Sequence, residues 1–176
     1  CKKASYTYRK SKNYHQLRYT SRPLVRFIKH EFPELKDTLY SRIPSKILTS
    51  EPTVVASFLR GYFDAEGYIH RKHSLGITSA NKTVITQVLF LLLRFSIIPS
   101  FYHVNAKNNP YSKKPQYALQ ISEKESLQYF IKLIGFTSHK KTKRLEELIR
   151  IKSGNSTVRQ IITPGTRVRK ILEEHG

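Results

Sequence analysis

The pattern of apolar and polar positions divides the chain into helices, where apolar residues recur every three or four positions, and strands, where they alternate. The first 52 residues predict two strands, a short helix and an irregular, proline-containing connector. The rest predicts helix, two strands, helix, two strands and two helices, which is an α+β arrangement. The predicted strands cover residues 6–9, 15–20, 68–71, 75–79, 101–104 and 116–121, and the predicted helices cover 23–32, 54–65, 81–95, 123–134 and 140–151.

The helix predicted after Pro52 has one face of small side chains. Ser57, Gly61 and Ala65 follow one another at intervals of four residues, so they lie on the same side. A glycine inside a helix costs about 1 kcal/mol relative to alanine, and close packing of a second helix would explain its presence. Gly67 is expected to adopt the left-handed conformation that ends a helix.

Two acids, Asp64 and Glu66, lie at the predicted end of this helix. If a partner helix had the same pattern and an approximate twofold axis related the two, two carboxylates would meet closely enough to share a divalent cation. The pattern is equally typical of solvated acids at a helix end. These residues alone leave both interpretations open.

The charge balance indicates a polyanionic partner. Thirty-two Lys and Arg against twelve Asp and Glu give a formal net charge of +20, which favours nucleic acid over a merely basic surface. The single cysteine, Cys1, excludes an internal disulfide and favours a reducing, cytoplasmic environment. The richest apolar run, residues 88–98, is interrupted by Arg94 and falls short of the roughly 20 residues of a membrane span.

Residues 59–67, Leu-Arg-Gly-Tyr-Phe-Asp-Ala-Glu-Gly, resemble the signature of the LAGLIDADG (dodecapeptide, DOD-type) homing endonucleases, including their archaeal, intein-borne members. Three positions depart from it: Arg60 replaces a small residue, Tyr62 an aliphatic one and Glu66 an aspartate. The resemblance implies that Glu66 binds the catalytic metal, expected to be Mg²⁺, together with the peptide carbonyl of Ala65.

The family fold is αββαββα, a curved antiparallel sheet with helices on one side, and residues 53–152 match this order. Residues 15–20 and the helix after them resemble residues 117–122 and their helix, with Leu17 aligned on Leu119. The chain is therefore interpreted as a partial first repeat (1–52), a full repeat (53–152) and a C-terminal extension (153–176). The second signature helix would come from a homodimer mate or an upstream repeat.

In this family the sheet lies in the major groove of double-stranded DNA, so alternate strand residues become candidates for base contacts. Arg18 and Gln120 are the leading candidates, because both point away from aligned apolar neighbours. Lysines in the loop at 105–115 are expected to contact phosphates. The full candidate set is Gln16, Arg18, Tyr68, His70, Lys72, Lys107, Lys113, Lys114, Gln116 and Gln120.

The family also places basic groups near the scissile phosphates, just after the helix that closes the repeat. Lys141, with Lys140 second, matches that place. A cation there stabilises the charge that develops on phosphorus and helps to orient the attacking water. The alternative is a basic helix start that binds phosphate passively.

The resemblance implies a site-specific DNA endonuclease that hydrolyses phosphodiesters with a divalent metal and lies on the nucleoid when bound. A noncatalytic transcription regulator, an RNA-splicing maturase and an inactive truncated remnant stay open as alternatives. Because methionine is absent, the chain is expected to begin after a removed initiator or a cleavage. The residues after Cys1 do not resemble the start of a self-splicing domain, so self-splicing is not expected.

Overall fold

Four antiparallel strands and the helices packed on them form the larger part of the structure. The computed structural model describes residues 4–12, 14–35, 39–70, 73–104 and 115–152. The strands are β1 (Ser5–Arg9), β2 (Tyr14–Arg18), β3 (Tyr68–His70), β4 (Ser74–Ser79), β5 (Ser100–Val104) and β6 (Gln116–Ile121). The helices are α1 (Arg22–Glu31), α2 (Ser45–Leu48), α3 (Pro52–Glu66), α4 (Lys82–Leu93), α5 (Lys124–Tyr129) and α6 (His139–Ile151).

From α3 onward the element order is αββαββα with α6 appended, so the predicted α+β fold of the family is confirmed. The strand order in the four-stranded sheet is β3-β4-β6-β5, and every neighbouring pair is antiparallel. Because β4 and β6 are central, a one-residue slip in their register would turn every apolar side chain away from the core. Leu75 pairs with Ile121 and Ile77 pairs with Leu119, and all four are buried.

The helices cover that apolar face of the sheet. Leu59 and Phe63 of α3, Val88 and Leu92 of α4 and Phe130 join the same core as the strand residues. The ring of Phe63 meets that of Phe130 edge-on, with centroids 4.8 Å apart, a geometry that aromatic pairs favour. This contact fixes the C-terminal end of α3 against the segment after α5.

Local capping chemistry explains where two of the helices begin. Asn81 accepts a hydrogen bond from the Val84 N–H at the start of α4, and Ser138 accepts one from the Lys141 N–H at the start of α6. α3 has Pro52 in its first turn, where the missing N–H costs nothing. Its preceding residue, Glu51, makes no side-chain cap.

Two sequence expectations were wrong in detail. Gly67 is not left-handed: its φ is −74° and its ψ 138°. Glycine is required there for space, because a Cβ would lie 2.4 Å from the Phe63 carbonyl oxygen. The helix predicted at 123–134 is α-helical only to Tyr129; Phe130–Ile134 is π-helical and ends at Gly135, whose φ is 67°.

The connector before α3 is attached to α4. The Ile43 N–H donates to the Gln87 side chain at 2.9 Å, and Arg94 donates to the carbonyls of Leu48 and Ser50 at 2.8 Å each. Ile43 itself is buried in the core. The connector is therefore packed on α4 and on the core that α4 shares with the four-stranded sheet.

The first hairpin forms a sheet of its own. β1 and β2 pair only with each other among the described strands, and α1 buries no residue. α1 is nonetheless amphipathic, with Leu24, Val25, Phe27 and Ile28 exposed. No helix in the described part of the chain is long and apolar enough to cross a membrane.

Candidate functional site

The C-terminal end of α3 carries the acid singled out from the sequence. Glu66 is the last residue of α3, and both it and Ala65 are exposed. The final four carbonyls of an α-helix lack partners within the helix. How these carbonyls are used decides what the site can bind.

Lys141, in the first turn of α6, donates hydrogen bonds to some of these carbonyls. Its Nζ donates to the carbonyl oxygens of Phe63 at 3.0 Å, Asp64 at 2.7 Å and Gly67 at 2.7 Å. The ammonium also lies 5.7 Å from the centroid of the Phe136 ring. Burial lowers the pKa of Lys141, although the charges of Asp64 and Glu66 act in the opposite direction.

The carbonyls of Ala65 and Glu66 accept no hydrogen bond from the described residues, and the Glu66 carboxylate makes no ion pair with them. The end of α3 thus offers one carboxylate and two backbone oxygens. This donor set fits Mg²⁺, a hard cation that takes one or two carboxylates and keeps several waters or phosphate oxygens. No group of three or more His, Cys, Asp or Glu among the described residues could hold a metal by itself.

Asp64 makes the complementary contact to α6. Its carboxylate accepts from the Thr137 N–H at 2.8 Å and from the Ser138 N–H at 3.3 Å. Desolvation alone would raise the pKa of Asp64, but these hydrogen bonds and the nearby Lys141 charge outweigh it and lower the pKa. Asp64 therefore faces the start of α6 as an anion.

Two residues of this arrangement were missed from the sequence. From the sequence, Asp64 is a neighbour of Glu66 and Arg60 a departure from the signature, and neither observation predicts the contacts that these residues make. Arg60 Nε donates to the Ile134 carbonyl at 2.6 Å and ties α3 to the segment before α6. No local signal identifies these contacts, because they join residues that are 73 to 74 positions apart.

The exposed face of α3 is open. Ser57, Gly61 and Ala65 are all exposed, as their spacing predicts for one face. A Cβ built on Gly61 would meet no atom within 4 Å. Within the described residues nothing packs close to this glycine, so its helix-propensity cost is not repaid by a contact inside the structure.

The polar face of the four-stranded sheet gathers the strand candidates. Tyr68 pairs with Gly76, which pairs with Gln120, which pairs with Ser100, so these residues form one row across the sheet. Directly paired residues share a face. The same face also carries His70, Gln116, Thr78 and Tyr102.

The ring of Tyr68 lies over Gly76 on this face. A Cβ on Gly76 would come within 2.7 Å of Tyr68 Cζ and 2.8 Å of its hydroxyl oxygen. Glycine at position 76 therefore leaves room for the tyrosine ring. Tyr102, Thr78 and Ser100 were missed as members of this face, although strand alternation from Phe101 and Ile77 could have found them.

The first hairpin separates its side chains in the same way. Gln16 and Arg18 share a face with Ser5, Thr7 and Arg9, opposite Leu17. Arg9 was missed, although the alternation of β1 identifies it. The remaining candidates Lys72, Lys107, Lys113 and Lys114, and the extension at 153–176, lie outside the described residues. Lys140 is exposed in the first turn of α6.

Comparisons with known proteins agree with the fold. A family model described as a LAGLIDADG-like domain matches residues 53–135. A solved structure described as coming from mesophilic variants of the homing endonuclease I-DmoI aligns with a TM-score of 0.54 and 20% identity, covering 78% of this chain and 65% of that one. At that identity the alignment supports the fold alone.

Among the curated relatives are two proteins of Methanocaldococcus jannaschii. The chain is 37% identical over 139 residues to a glutamine–fructose-6-phosphate aminotransferase, covering 78% of this chain and 12% of the relative. It is also 37% identical over 117 residues to a replication factor C small subunit, covering 66% of this chain and 6% of the relative. The chain therefore spans only a small part of the curated relatives it matches.

Proposed function

The chain belongs to the LAGLIDADG family through residues 53–135, and on that premise we propose that it is a site-specific homing endonuclease that hydrolyses DNA phosphodiesters with Mg²⁺. The observation that carries the proposal is the end of α3. There Glu66 is exposed, and the Ala65 carbonyl accepts no hydrogen bond from the described residues. Both lie at the end of a helix face on which no described atom approaches Gly61 closely.

The open face has a specific use in this proposal. A second signature helix, from a homodimer mate or from an upstream repeat, packs against Ser57, Gly61 and Ala65. Small residues let two helix backbones approach closely, and a twofold arrangement brings an equivalent carboxylate to Glu66. The pair then supplies the ligands that the described part of this chain does not supply alone.

The chain's own groups have distinct parts in the proposed chemistry. Glu66 and the Ala65 carbonyl hold the cation. Lys140 and Lys141 supply the positive charge beside the metal site. When bound, Mg²⁺ would lower the pKa of a water and neutralise charge on the phosphate. The sheet face with Tyr68, His70, Gln116 and Gln120 lies along the major groove.

The DNA contacts divide into two kinds. Gln16 and Arg18 of the first hairpin extend the base-reading face, because they lie opposite Leu17. Lys72, Lys107, Lys113 and Lys114 supply phosphate contacts, which give affinity and salt dependence but little sequence choice. A net charge of +20 is consistent with such an interface.

The domain division follows from the same proposal. Residues 1–52 are the back half of a first repeat, residues 53–152 the full repeat and residues 153–176 an extension. The exposed apolar side of α1 supports the first assignment, because Leu24 and Phe27 leave an apolar surface on which the rest of such a repeat could pack.

The relatives support mobility between genes. An aminotransferase and a replication factor differ in function, yet each matches this chain over only 12% or 6% of its length. A segment shared by two proteins of such different function does not account for either named function. We therefore propose that the segment moves as an intron- or intein-associated element and acts inside the cell on the nucleoid.

A plasmid assay tests the nuclease. The wild-type chain is expected to cut a plasmid that carries the uninterrupted host-gene site, and only with Mg²⁺, whereas Glu66→Gln should lose cleavage by at least about 100-fold and keep DNA binding. Glu147→Gln, an exposed acid on α6, is the matched control and should cut normally.

The opposite results point to other functions. Tight DNA binding without any wild-type cleavage would favour a transcription regulator, and RNA binding without DNA cleavage would favour a splicing maturase. Neither binding nor cleavage would indicate an inactive remnant. Cleavage that persists in Glu66→Gln would contradict the assignment of Glu66 as the metal ligand.

A further inference from the structure

We propose that Asp64 and Lys141 are positioning residues that cap each other's helices and thereby set the directions of the Ala65 carbonyl and the Glu66 carboxylate. This inference rests on the proposed function, because it concerns the same metal-binding end of α3. It changes the role of Lys141: the side chain acts through the backbone of α3 and does not contact the scissile phosphate.

The hydrogen bonds of Lys141 account for all its donors. A lysine ammonium has three N–H groups, and its three acceptors are the carbonyls of Phe63, Asp64 and Gly67. In this arrangement no N–H remains for a phosphate oxygen. The positive charge lies at the negative end of the α3 dipole, where a cation is stabilising.

Asp64 makes the reverse connection. Each of its carboxylate oxygens accepts one backbone N–H at the start of α6, from Thr137 and from Ser138. An anion at a helix N-terminus is stabilising for the same electrostatic reason. The end of α3 and the start of α6 are therefore held by two oppositely directed caps, with Arg60 binding the Ile134 carbonyl as a third link.

The division of carbonyls explains the effect on the metal site. Lys141 occupies the carbonyls of Phe63 and Asp64 before the site and of Gly67 after it, leaving those of Ala65 and Glu66 without a partner among the described residues. The caps thus fix the backbone on both sides of the two metal ligands. Groups that orient ligands typically change metal affinity by roughly 10- to 100-fold when removed.

Replacement by arginine separates positioning from phosphate contact. Lys141→Arg keeps the positive charge, but a planar guanidinium cannot direct its donors at three converging carbonyls. Positioning predicts that Lys141→Arg and Lys141→Met both weaken binding of Mn²⁺, used alone as the probe, by about 10-fold or more, as should Asp64→Asn. DNA affinity should stay within about twofold, and Asp64→Asn/Lys141→Met should be no worse than either single variant.

Lys143→Arg and Lys143→Met, at an exposed lysine of the same helix that has no part in the proposed site, are the matched controls and should leave Mn²⁺ affinity unchanged. The inference would be overturned if Lys141→Arg cleaved DNA and bound Mn²⁺ as well as the wild type does while Lys141→Met lost cleavage. That result would indicate that Lys141 contacts the scissile phosphate. Fully additive losses in the double variant would also overturn it, because two separate sites would then be acting.

Amide exchange supplies a readout that needs no nuclease. The Thr137 N–H donates to Asp64 and not to Lys141, so its protection should fall in Lys141→Arg only if the two caps are coupled. Unchanged protection there would overturn the reciprocal capping even in an active enzyme. If cleavage is lost in Glu66→Gln and kept in the Lys141 and Asp64 variants, the proposed function stands and the positioning role is overturned. If the wild-type chain neither cuts DNA nor binds Mn²⁺, both proposals are overturned.

Discussion

Two strand–helix units of the chain have similar amphipathic patterns and opposite burial. In β6 and the helical segment after it, Leu119 is 1% exposed and Phe130 is fully buried. In β2 and α1, the aligned Leu17 is 72% exposed and Phe27 is 59% exposed. The alternation and the helical period predict which side chains share a face in both units.

The difference lies in what covers that face. Around β6 the core includes residues of α3, α4 and β4, whereas no described residue of α1 is buried. A two-stranded hairpin is marginal in water, and so is a helix of ten residues. Periodicity therefore identifies an apolar face, and only the rest of the fold, or a partner, decides whether that face is buried.

The largest expected difference is in the free energy of unfolding of two Phe→Ala variants, one in each unit. Phe130→Ala should lower the free energy of unfolding by about 3–5 kcal/mol, because it opens a cavity beside Phe63 in the core. Phe27→Ala should change it by less than about 0.5 kcal/mol, since the side chain is largely exposed. Urea unfolding of the two variants beside the wild type measures both.

A large loss from Phe27→Ala would contradict the exposed state of α1. Repeating the measurement across protein concentrations then identifies the cover: a loss that grows with concentration means that a second copy packs on α1, and a constant loss means cover within the chain. In the first case Phe27→Ala should also reduce the mass measured in solution.

The comparison shows how much of the fold the sequence could predict. The buried set of β4 and β6 follows from alternation alone, and the start of α4 follows from Asn81. The π-helical turn at Phe130–Ile134 could not be predicted, because a helical period does not distinguish α from π geometry over five residues. Gly67 was placed correctly at the helix end but for the wrong reason, since contact with the Phe63 carbonyl is a tertiary effect.

The candidate site divides in the same way. Glu66 and Ala65 could be found from a local pattern, because both belong to one stretch of nine residues. The contacts of Lys141 to Phe63, Asp64 and Gly67 join residues that are 74 to 78 positions apart. The family resemblance predicts that Lys141 lies near the site. No pattern of neighbouring residues predicts that its ammonium group donates to backbone carbonyls.

A smaller difference in stability is expected between Gly→Ala substitutions at two positions, one inside α3 and one just after it. Gly67→Ala should destabilise the chain by about 1–3 kcal/mol, because the new Cβ would lie 2.4 Å from the Phe63 carbonyl oxygen. Gly61→Ala should stabilise the isolated chain by about 0.5–1 kcal/mol, because the added methyl meets no atom of the described residues and alanine favours the helix. Thermal unfolding at low protein concentration measures both.

Gly61 also reports on the proposed partner helix. If a second helix seats on this face, the gain from Gly61→Ala should disappear at high protein concentration, because the methyl separates the two backbones. Val54→Ala, on the exposed side of the first turn of α3, is the control. A stabilisation that is equal at all concentrations would show that no copy of this chain pairs there.

The smallest effect concerns a contact between the segment after α1 and the start of α2. Glu34 accepts from the Ser45 N–H and hydroxyl at 3.0 Å each, and this backbone hydrogen bond is the main cause that lowers the Glu34 pKa below its ordinary 4.5. A depressed carboxyl pKa stabilises the fold above the ordinary value, and the stabilisation is lost as the pH falls through the lowered one. Protection of the Ser45 amide, corrected for intrinsic exchange, should therefore fall in that window. Glu34→Gln should remove the dependence, and an unchanged dependence in that variant would assign the titration to another group.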